Sequence, residues 1–205
     1  MKKENENYLF WKNIWNEKGR KKEIDIFSDS GYEHMSEQYF RKGVLNSGYL
    51  GQNIMELSNM KVDDIILEIG CSVGHLAEYF SNEMCMDYVG IDYSKSLLEK
   101  HRRLRGNVVF QCDANNLFFP NKSFDVSFCF GVLQYFPDLN YFEQVEKEMI
   151  RISKRGIFLG DVKTDGSDRH MKYSKQYFID RGYKISDCIY DKKLENRFNA
   201  FLNIG

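Results

Sequence analysis

Short apolar runs alternate with amphipathic stretches from about residue 64 onward. The first run, Ile65–Ile69, is stopped by Gly70. Further runs of this kind occupy 88–91, 108–110, 124–130 and 156–159. Runs of this length are typical of parallel strands that are buried on both faces. Ser94 and Asp138 are suitable helix N-caps and Gly106 is a suitable C-cap, so helices are predicted between several strands. The pattern predicts an α/β fold with a doubly wound, mostly parallel sheet.

The first sixty residues have helical spacing instead. Tyr8, Trp11 and Trp15 fall on one face of a predicted helix that ends near Gly19. A second helix is predicted over about 49–60. The aromatic face is expected to serve helix packing. We find no repeat or low-complexity tract, so 1–205 is predicted to be a single domain, with an N-terminal helical segment at 1–60 and a core at 61–205.

The C-terminal part of the chain breaks the strand–helix alternation. After a predicted helix near 174–180, two strand-like segments at 184–190 and 197–204 are joined by the polar residues 191–193. This pattern predicts a terminal antiparallel hairpin. Earlier in the chain, Leu76, Tyr79 and Phe80 indicate a helix that starts near Gly74.

Composition and charge exclude several classes of protein. The chain has 205 residues, of which 42% are hydrophobic, and 29 basic residues balance 30 acidic ones. A chain with so little net charge is not attracted electrostatically to the phosphate backbone of a nucleic acid. The basic cluster 101–105 is interpreted as the solvated end of a helix, so no nucleic-acid partner is expected. No apolar stretch approaches the roughly 20 residues that span a bilayer, and no leader-like segment follows the first residues. Five cysteines without a C-x-x-C pair argue against a metal site, and the protein is expected to be cytoplasmic.

Chemically useful residues follow three of the predicted strands. The first strand runs into Glu68–Gly74, where glycines permit positive φ and close approach of a ligand. The loop lacks the third glycine of the dinucleotide fingerprint. Asp92 ends the second strand, where a carboxylate suits a ribose diol, and Asp113 follows the third. Each residue alone has ordinary structural explanations, but three carboxylates at successive strand ends together indicate a ligand site.

These segments resemble a known family. Ile66–Gly74 resembles the first motif of the class I S-adenosylmethionine-dependent methyltransferases, and Val89–Asp92 resembles their second-strand motif. Asp113–Ala114, then Phe124–Ser127 and Gly131–Tyr135, resemble the motifs of the third and fourth strands. The predicted hairpin fits the antiparallel seventh strand of this fold. The resemblance therefore implies a seven-stranded Rossmann-like methyltransferase fold and an enzyme that uses S-adenosylmethionine.

The resemblance also implies a cofactor site. In the family, the acidic residue of the first motif, here Glu68, orients the loop and the amino-acid end of the cofactor. Asp92 would hold the ribose hydroxyls, and Asp113 with Ala114 would contact adenine. Ser72 stands where the family usually has glycine, so altered packing is expected there. The full set of implied cofactor-binding residues is Glu68, Gly70, Cys71, Ser72, Gly74, Asp92, Tyr93, Asp113, Ala114, Phe130 and Gly131.

Methyl transfer to a hydroxyl also needs a general base close to the acceptor. Asp161, at the end of the fifth predicted strand, is the first candidate, and Tyr135 and His170 are the second choices. For His170 and for His34 a solvated loop position is the favoured interpretation, because a lone loop histidine is more often solvated than catalytic. The N-terminal segment is expected to contribute to a lid or to the substrate side of the cleft.

The acceptor is less sharply indicated than the cofactor. The fourth strand is not followed by Asn-Pro-Pro-Tyr or Asp-Pro-Pro-Tyr, which argues against a nucleobase amino-methyltransferase. The segments around Gly160–Asp161, Tyr173–Ser174 and Arg197–Asn199 resemble bacterial type-11 methyltransferases, which implies a small-molecule, sugar or polysaccharide acceptor. Two alternatives remain open: a methyltransferase-like domain that binds cofactor or a partner without turnover, and an NAD-binding Rossmann oxidoreductase.

Overall fold

The computed structural model describes residues 6–32, 35 and 37–205, and His34 lies outside them. The described helices are α1 (Glu6–Arg20), α2 (Ile26–Asp29), α3 (Glu37–Arg41), α4 (Ser47–Ser58), α5 (Lys95–Arg105), α6 (Leu139–Ile152) and α7 (Lys175–Ile179). The described strands are β1 (Ile65–Ile69), β2 (Asp87–Asp92), β3 (Val108–Gln111), β4 (Phe124–Phe130), β5 (Ser153–Lys163), β6 (Lys184–Asp187) and β7 (Arg197–Asn203).

These strands form one sheet within the described part of the chain. Its order is β3-β2-β1-β4-β5-β7-β6. The strands β1 to β5 pair in parallel, and β7 runs antiparallel to both β5 and β6. The predicted doubly wound sheet with a terminal antiparallel hairpin is therefore confirmed. The carboxyl ends of β1, β2, β3 and β4 meet at one edge, where open α/β sheets bind their ligands.

Apolar side chains cover both faces of the sheet. Ile66 and Leu67 are adjacent on β1, are fully buried, and belong to separate clusters. Because successive side chains of a strand point to opposite faces, these clusters are the cores on the two sides of the sheet. Leu98 of α5 packs in the first core, and Phe142 of α6 packs in the second. The sheet is thus packed against apolar side chains on both of its faces.

The three predicted helix caps are confirmed. The Ser94 hydroxyl accepts a hydrogen bond from the Leu97 amide at 3.4 Å, and Asp138 accepts one from the Tyr141 amide at 2.8 Å. Gly106 ends α5 with a φ of 71°, in the left-handed region that glycine adopts without strain.

Three expectations need correction. The helix predicted to start near Gly74 begins later, as a π-helical turn at Glu78–Glu83, because Gly74 has a φ of 83°, which a right-handed helix does not contain. The first strand of the hairpin ends at Asp187, since residues 188–190 turn inward and are buried. His101 is fully buried, where the sequence indicated a solvated helix end, because its ring bonds the Ser72 carbonyl.

Candidate active site

The loop after β1 requires glycine at two positions. Gly70 has a φ of 76°, and a Cβ there would lie 2.6 Å from the Cγ2 atom of Val132. Gly74 has a φ of 83°, and its Cβ would lie 2.8 Å from the Nε2 atom of His101. Both distances are too short for a side chain. The glycines therefore let the loop turn tightly against the sheet edge, and Gly70 also lines the central pocket.

Ser72 adopts the glycine-like conformation despite its side chain. Its φ is 46°, in the left-handed region that favours glycine. Its amide donates a hydrogen bond to Oδ2 of Asp92 at 3.1 Å, and its hydroxyl donates to the backbone carbonyl of Asp29 at 2.5 Å. The serine thus contacts both the carboxylate that ends β2 and the N-terminal segment.

Asp92 is a buried carboxylate at the edge of the pocket. Its Oδ1 atom accepts a hydrogen bond from the Ser94 amide at 2.8 Å, and the Ser72 amide holds Oδ2. Burial raises the pKa of Asp92 to about 6, although these backbone amides favour the charged form. A carboxylate has about four lone-pair sites, so Asp92 retains acceptor capacity toward the pocket that it lines.

Glu68 lies behind the loop rather than in the pocket wall. The Tyr88 hydroxyl donates a hydrogen bond to Glu68 Oε2 at 2.5 Å, and burial raises the pKa of Glu68 to about 8. The neighbouring Cys71 is also buried, which raises the pKa of its thiol. Neither residue is among those that line the pocket. Both side chains are therefore placed to support the loop after β1 from the side that faces away from the pocket.

The Glu68 carboxyl makes stability depend on pH. Its folded pKa of about 8 exceeds the ordinary value of 4.5, so its contribution to stability is complete below pH 4.5 and is lost as the pH rises toward 8. We expect Glu68→Gln to remove this dependence. Relative to the variant, the free energy of unfolding of the wild type should fall by ~2–4 kcal/mol between about pH 5 and pH 8. Urea unfolding across this range measures it, and parallel curves for the two proteins would contradict the assignment.

Residues after β2 and β3 form the opposite wall of the pocket. Tyr93 and Ala114 line it, and the Tyr93 hydroxyl donates to the backbone carbonyl of Trp11 at 3.1 Å. The carboxylate of Asp113 accepts a hydrogen bond from the Tyr8 hydroxyl at 2.5 Å. The sequence-predicted residues of these two strand ends therefore lie together, and α1 covers them.

The central pocket has a volume of about 770 Å³, including the space at its mouth. Its wall combines polar groups at the strand ends with many aromatic rings. The lining residues are Tyr8, Trp11, Trp15, Ser30, Ile69, Gly70, Ser72, Ile91, Asp92, Tyr93, Cys112, Ala114, Phe130, Gly131, Val132, Tyr135, Phe136, Pro137 and Tyr141.

Four of these lining residues come from the N-terminal segment and were not predicted as site residues. Tyr8, Trp11 and Trp15 were interpreted as helix packing, and Ser30 carried no sequence signal. The Ser30 hydroxyl oxygen is buried and has no hydrogen-bond partner among the described residues. A buried hydroxyl without a partner is unfavourable, so this atom indicates the place of a polar ligand group.

The candidate base Asp161 lies beside the pocket and is already engaged. It lies in the β-bulge between Leu159 and Val162, so β5 continues beyond it to Lys163 and Asp161 is not at the strand end as predicted. It has a φ of 56° and forms a salt bridge with Arg197. The Tyr190 hydroxyl donates a hydrogen bond to its Oδ1 atom at 2.6 Å. A Cβ on Gly131, which lines the pocket, would lie 3.6 Å from Asp161 Oδ2. The backbone of Gly131 therefore lies between the Asp161 carboxylate and the pocket.

The second-choice residues Tyr135 and His170 belong to an aromatic cluster at the pocket rim. The Tyr135 ring lies 4.8 Å from the Trp11 ring and 5.1 Å from the Trp15 ring, centroid to centroid. The His170 ring stacks on Trp11 at 4.9 Å. Tyr135 lines the pocket and His170 does not. The cluster joins α1 to the loop that carries His170, and the Trp11 indole donates to the Arg169 carbonyl at 2.9 Å.

A comparison with family models matches the middle of the chain. Residues 67–159 match the model of a methyltransferase domain of type 11. This stretch runs from β1 to β5 and contains the loop, the strand ends and Tyr135. The matched stretch, which is somewhat less than half of the chain, is similar to a methyltransferase domain.

Individual proteins resemble the chain in sequence or in fold. The chain is 27% identical over 200 residues to phosphoethanolamine N-methyltransferase 1 of Arabidopsis thaliana, covering 90% of this chain and 40% of the relative. Phosphoethanolamine N-methyltransferase 1 of Haemonchus contortus superposes with a TM-score of 0.69 at 12% identity, covering 96% and 48%. Magnesium protoporphyrin IX methyltransferase of Synechocystis PCC 6803, solved with bound S-adenosylmethionine, superposes with a TM-score of 0.64 at 11% identity, covering 98% of both chains. The chain spans less than half the length of the two phosphoethanolamine methyltransferases.

The methyltransferase fold also bears on other predictions. The order in which antiparallel β7 inserts between β5 and β6 differs from the nicotinamide-binding order 3-2-1-4-5-6, which argues against the oxidoreductase alternative. Among the described residues, no helix is long and apolar enough to cross a membrane. The same residues contain no group of three metal-ligating side chains in one place.

Proposed function

We propose that this chain binds S-adenosylmethionine in the central pocket and transfers its methyl group to a small-molecule acceptor. The observation that carries the proposal is the convergence of Gly70, Asp92 and Ala114 on one pocket at the carboxyl edge of the sheet. The cofactor, when bound, supplies a sulfonium-activated methyl group. The contribution of the protein is alignment of the acceptor for in-line displacement and exclusion of water.

The residues around the pocket fit the three parts of this cofactor. The Asp92 carboxylate suits the ribose hydroxyls, and Ala114 beside Asp113 suits the adenine edge. Gly70 leaves room for the methionine part against the backbone, and the unpartnered hydroxyl of Ser30 suits a polar group there. Cys71 and Glu68 support this loop from behind the pocket wall.

The N-terminal segment at 1–60 is proposed to cover a cofactor-binding core at 61–205. Support comes from α1, whose Tyr8, Trp11 and Trp15 line the pocket opposite the strand ends. Their hydrogen bonds join this helix to both sides of the cleft: Tyr8 reaches Asp113, and Trp11 reaches the Arg169 carbonyl. A segment so placed has to open for ligands to exchange.

A small-molecule acceptor is favoured over a glycan. The relatives that the comparisons name act on phosphoethanolamine and magnesium protoporphyrin IX. The rings of Trp11 and Trp15 both pack against the Tyr135 ring, and all three line the pocket, where they offer an aromatic surface to a small acceptor. A release assay for S-adenosylhomocysteine across small amines, phosphorylated amines, porphyrins and free sugars tests this choice. Absence of release with every acceptor, in protein that binds the cofactor, would favour the alternative of a binding domain without turnover.

Tyr135 is the pocket-lining residue best placed to hold the acceptor. Asp161 is held by Arg197 and Tyr190, so we propose that it positions the strand end near Gly131, while the Tyr135 hydroxyl orients the acceptor nucleophile. His170 would support Tyr135 and Trp11 from the rim.

We expect Tyr135→Phe to lower kcat by about 10- to 100-fold, because loss of one orienting contact misaligns in-line transfer. The dissociation constant for S-adenosylhomocysteine should remain within about twofold of the wild type. Steady-state kinetics with an acceptor found in the panel measure both effects. Tyr177→Phe, on α7 outside the pocket lining, is the matched control. Unchanged kcat in Tyr135→Phe would remove Tyr135 from this role.

A further inference from the structure

The unusual residue of the cofactor loop is tied to the N-terminal segment. The Ser72 hydroxyl donates to the Asp29 carbonyl at 2.5 Å, and both residues are buried. A serine at a φ of 46° is less favourable than a glycine, which adopts this region freely. The Ser72 side chain therefore makes a long-range contact with Asp29 at a position whose backbone conformation favours glycine.

Asp29 is fixed from its other side by a buried lysine. Lys100 Nζ lies 2.7 Å from Asp29 Oδ2, and the two side chains are 1% and 3% exposed. The same ammonium donates to the backbone carbonyls of Lys18 at 3.1 Å and Glu23 at 3.0 Å. Its three donors are thus all used. Ser72 and Lys100 together hold the stretch from Lys18 at the end of α1 to Asp29 at the end of α2 against the core.

The position of Asp29 determines where the next two residues, Ser30 and Gly31, lie. Ser30 directly follows Asp29 and places its unpartnered hydroxyl in the pocket wall. Gly31 has a φ of 85°, and a Cβ there would lie 3.0 Å from the Trp15 ring and 3.6 Å from the Tyr135 hydroxyl. A shift of Asp29 would therefore displace one side of the pocket.

Ser72 also faces the cofactor side of the site. Its amide holds Asp92 Oδ2, and its hydroxyl holds the backbone that carries Ser30. We propose that Ser72 is a positioning residue that joins the two walls of the pocket, so that the cofactor loop and the N-terminal segment bind ligand as one unit. The role in ligand binding rests on the proposed function, whereas the tie between the walls does not.

Two substitutions separate the effect of losing the Ser72 hydroxyl from the effect of relieving its backbone conformation. Ser72→Gly removes the hydroxyl and relieves the left-handed conformation, and Ser72→Ala removes the hydroxyl alone. Asn59→Gly is the matched control: Asn59 has a φ of 54° at the exposed end of α4, outside the pocket. Amide hydrogen exchange of residues 19–32, urea unfolding, and calorimetric affinity for S-adenosylhomocysteine are measured for all four proteins.

Both Ser72 variants are expected to exchange residues 19–32 faster by about fivefold or more, the change that loss of one buried hydrogen bond produces. Both should also bind S-adenosylhomocysteine several-fold more weakly. The midpoint of urea unfolding should not fall in Ser72→Gly, because relief of the backbone offsets the lost bond. Asn59→Gly should match the wild type in exchange and binding. A purely structural serine would instead lower global stability together with binding.

The proposal is overturned if exchange of residues 19–32 is unchanged in both Ser72 variants, or if it rises in Ser72→Gly but not in Ser72→Ala. The second result would assign the effect to a looser loop backbone. Failure of the wild type to bind S-adenosylhomocysteine would instead contradict the proposed function, and the exchange comparison would still decide whether Ser72 ties the two walls together.

Discussion

Asp92→Asn is expected to weaken S-adenosylhomocysteine binding by about 10- to 100-fold. A hydrogen bond to a charged group contributes about 1.5–3 kcal/mol, and the amide of asparagine replaces one carboxylate oxygen with a donor. Calorimetric titration at about pH 7.5 measures the loss. Asp87→Asn, at the exposed opposite end of β2, is the control and should bind like the wild type. Equal affinity in Asp92→Asn would show that the ribose lies elsewhere.

The same carboxylate predicts the pH dependence of binding. Burial raises the pKa of Asp92 to about 6. The charged form accepts the ribose hydrogen bonds, so wild-type affinity should be constant above about pH 7 and fall up to tenfold per pH unit below about pH 6. Asp92→Asn should lack this decline. A wild type whose affinity stays flat between about pH 5 and pH 7 would contradict the assignment.

Lys100→Met is expected to lower the free energy of unfolding by ~3–5 kcal/mol. Removal of one partner from a buried ion pair leaves the Asp29 carboxylate without its cation in a dry environment. Two backbone carbonyls, those of Lys18 and Glu23, lose their donor as well. Urea unfolding monitored by circular dichroism measures the loss.

Lys95→Met provides the matched control because Lys95 is exposed on the same helix. It should change stability by less than about 0.5 kcal/mol. Combining Lys100→Met with Asp29→Asn should recover part of the loss, since the uncompensated charge disappears. A loss below about 1 kcal/mol in Lys100→Met would mean that the ion pair does not hold the N-terminal segment.

Much of the fold was predictable because its signals are local. Ile65–Ile69 and Gly70 lie next to each other in the sequence, and an apolar run followed by glycine marks a strand end wherever it occurs. The caps Ser94, Gly106 and Asp138 are also short-range features. Since the carboxyl ends of parallel strands lie at one edge of the sheet, Asp92 and Asp113 were expected at the same edge. The structure places both residues at that edge.

The missed features depend on contacts between distant parts of the chain. Ser30 lies in the pocket wall because Ser72 and Lys100, 42 and 70 positions later, hold the preceding residue. A lysine in a basic helix is ordinarily solvated, so its spacing carried no signal of burial. Trp11 and Trp15 were correctly placed on one helical face, but the sequence did not reveal that this face covers the pocket.

We propose that the central pocket binds S-adenosylmethionine. Calorimetric titration of the purified protein with S-adenosylhomocysteine tests it most directly, with NADH as the control ligand. We predict binding of S-adenosylhomocysteine with a micromolar dissociation constant and no heat from NADH. Binding of NADH, or of neither ligand in protein shown to be folded by circular dichroism, would contradict the account.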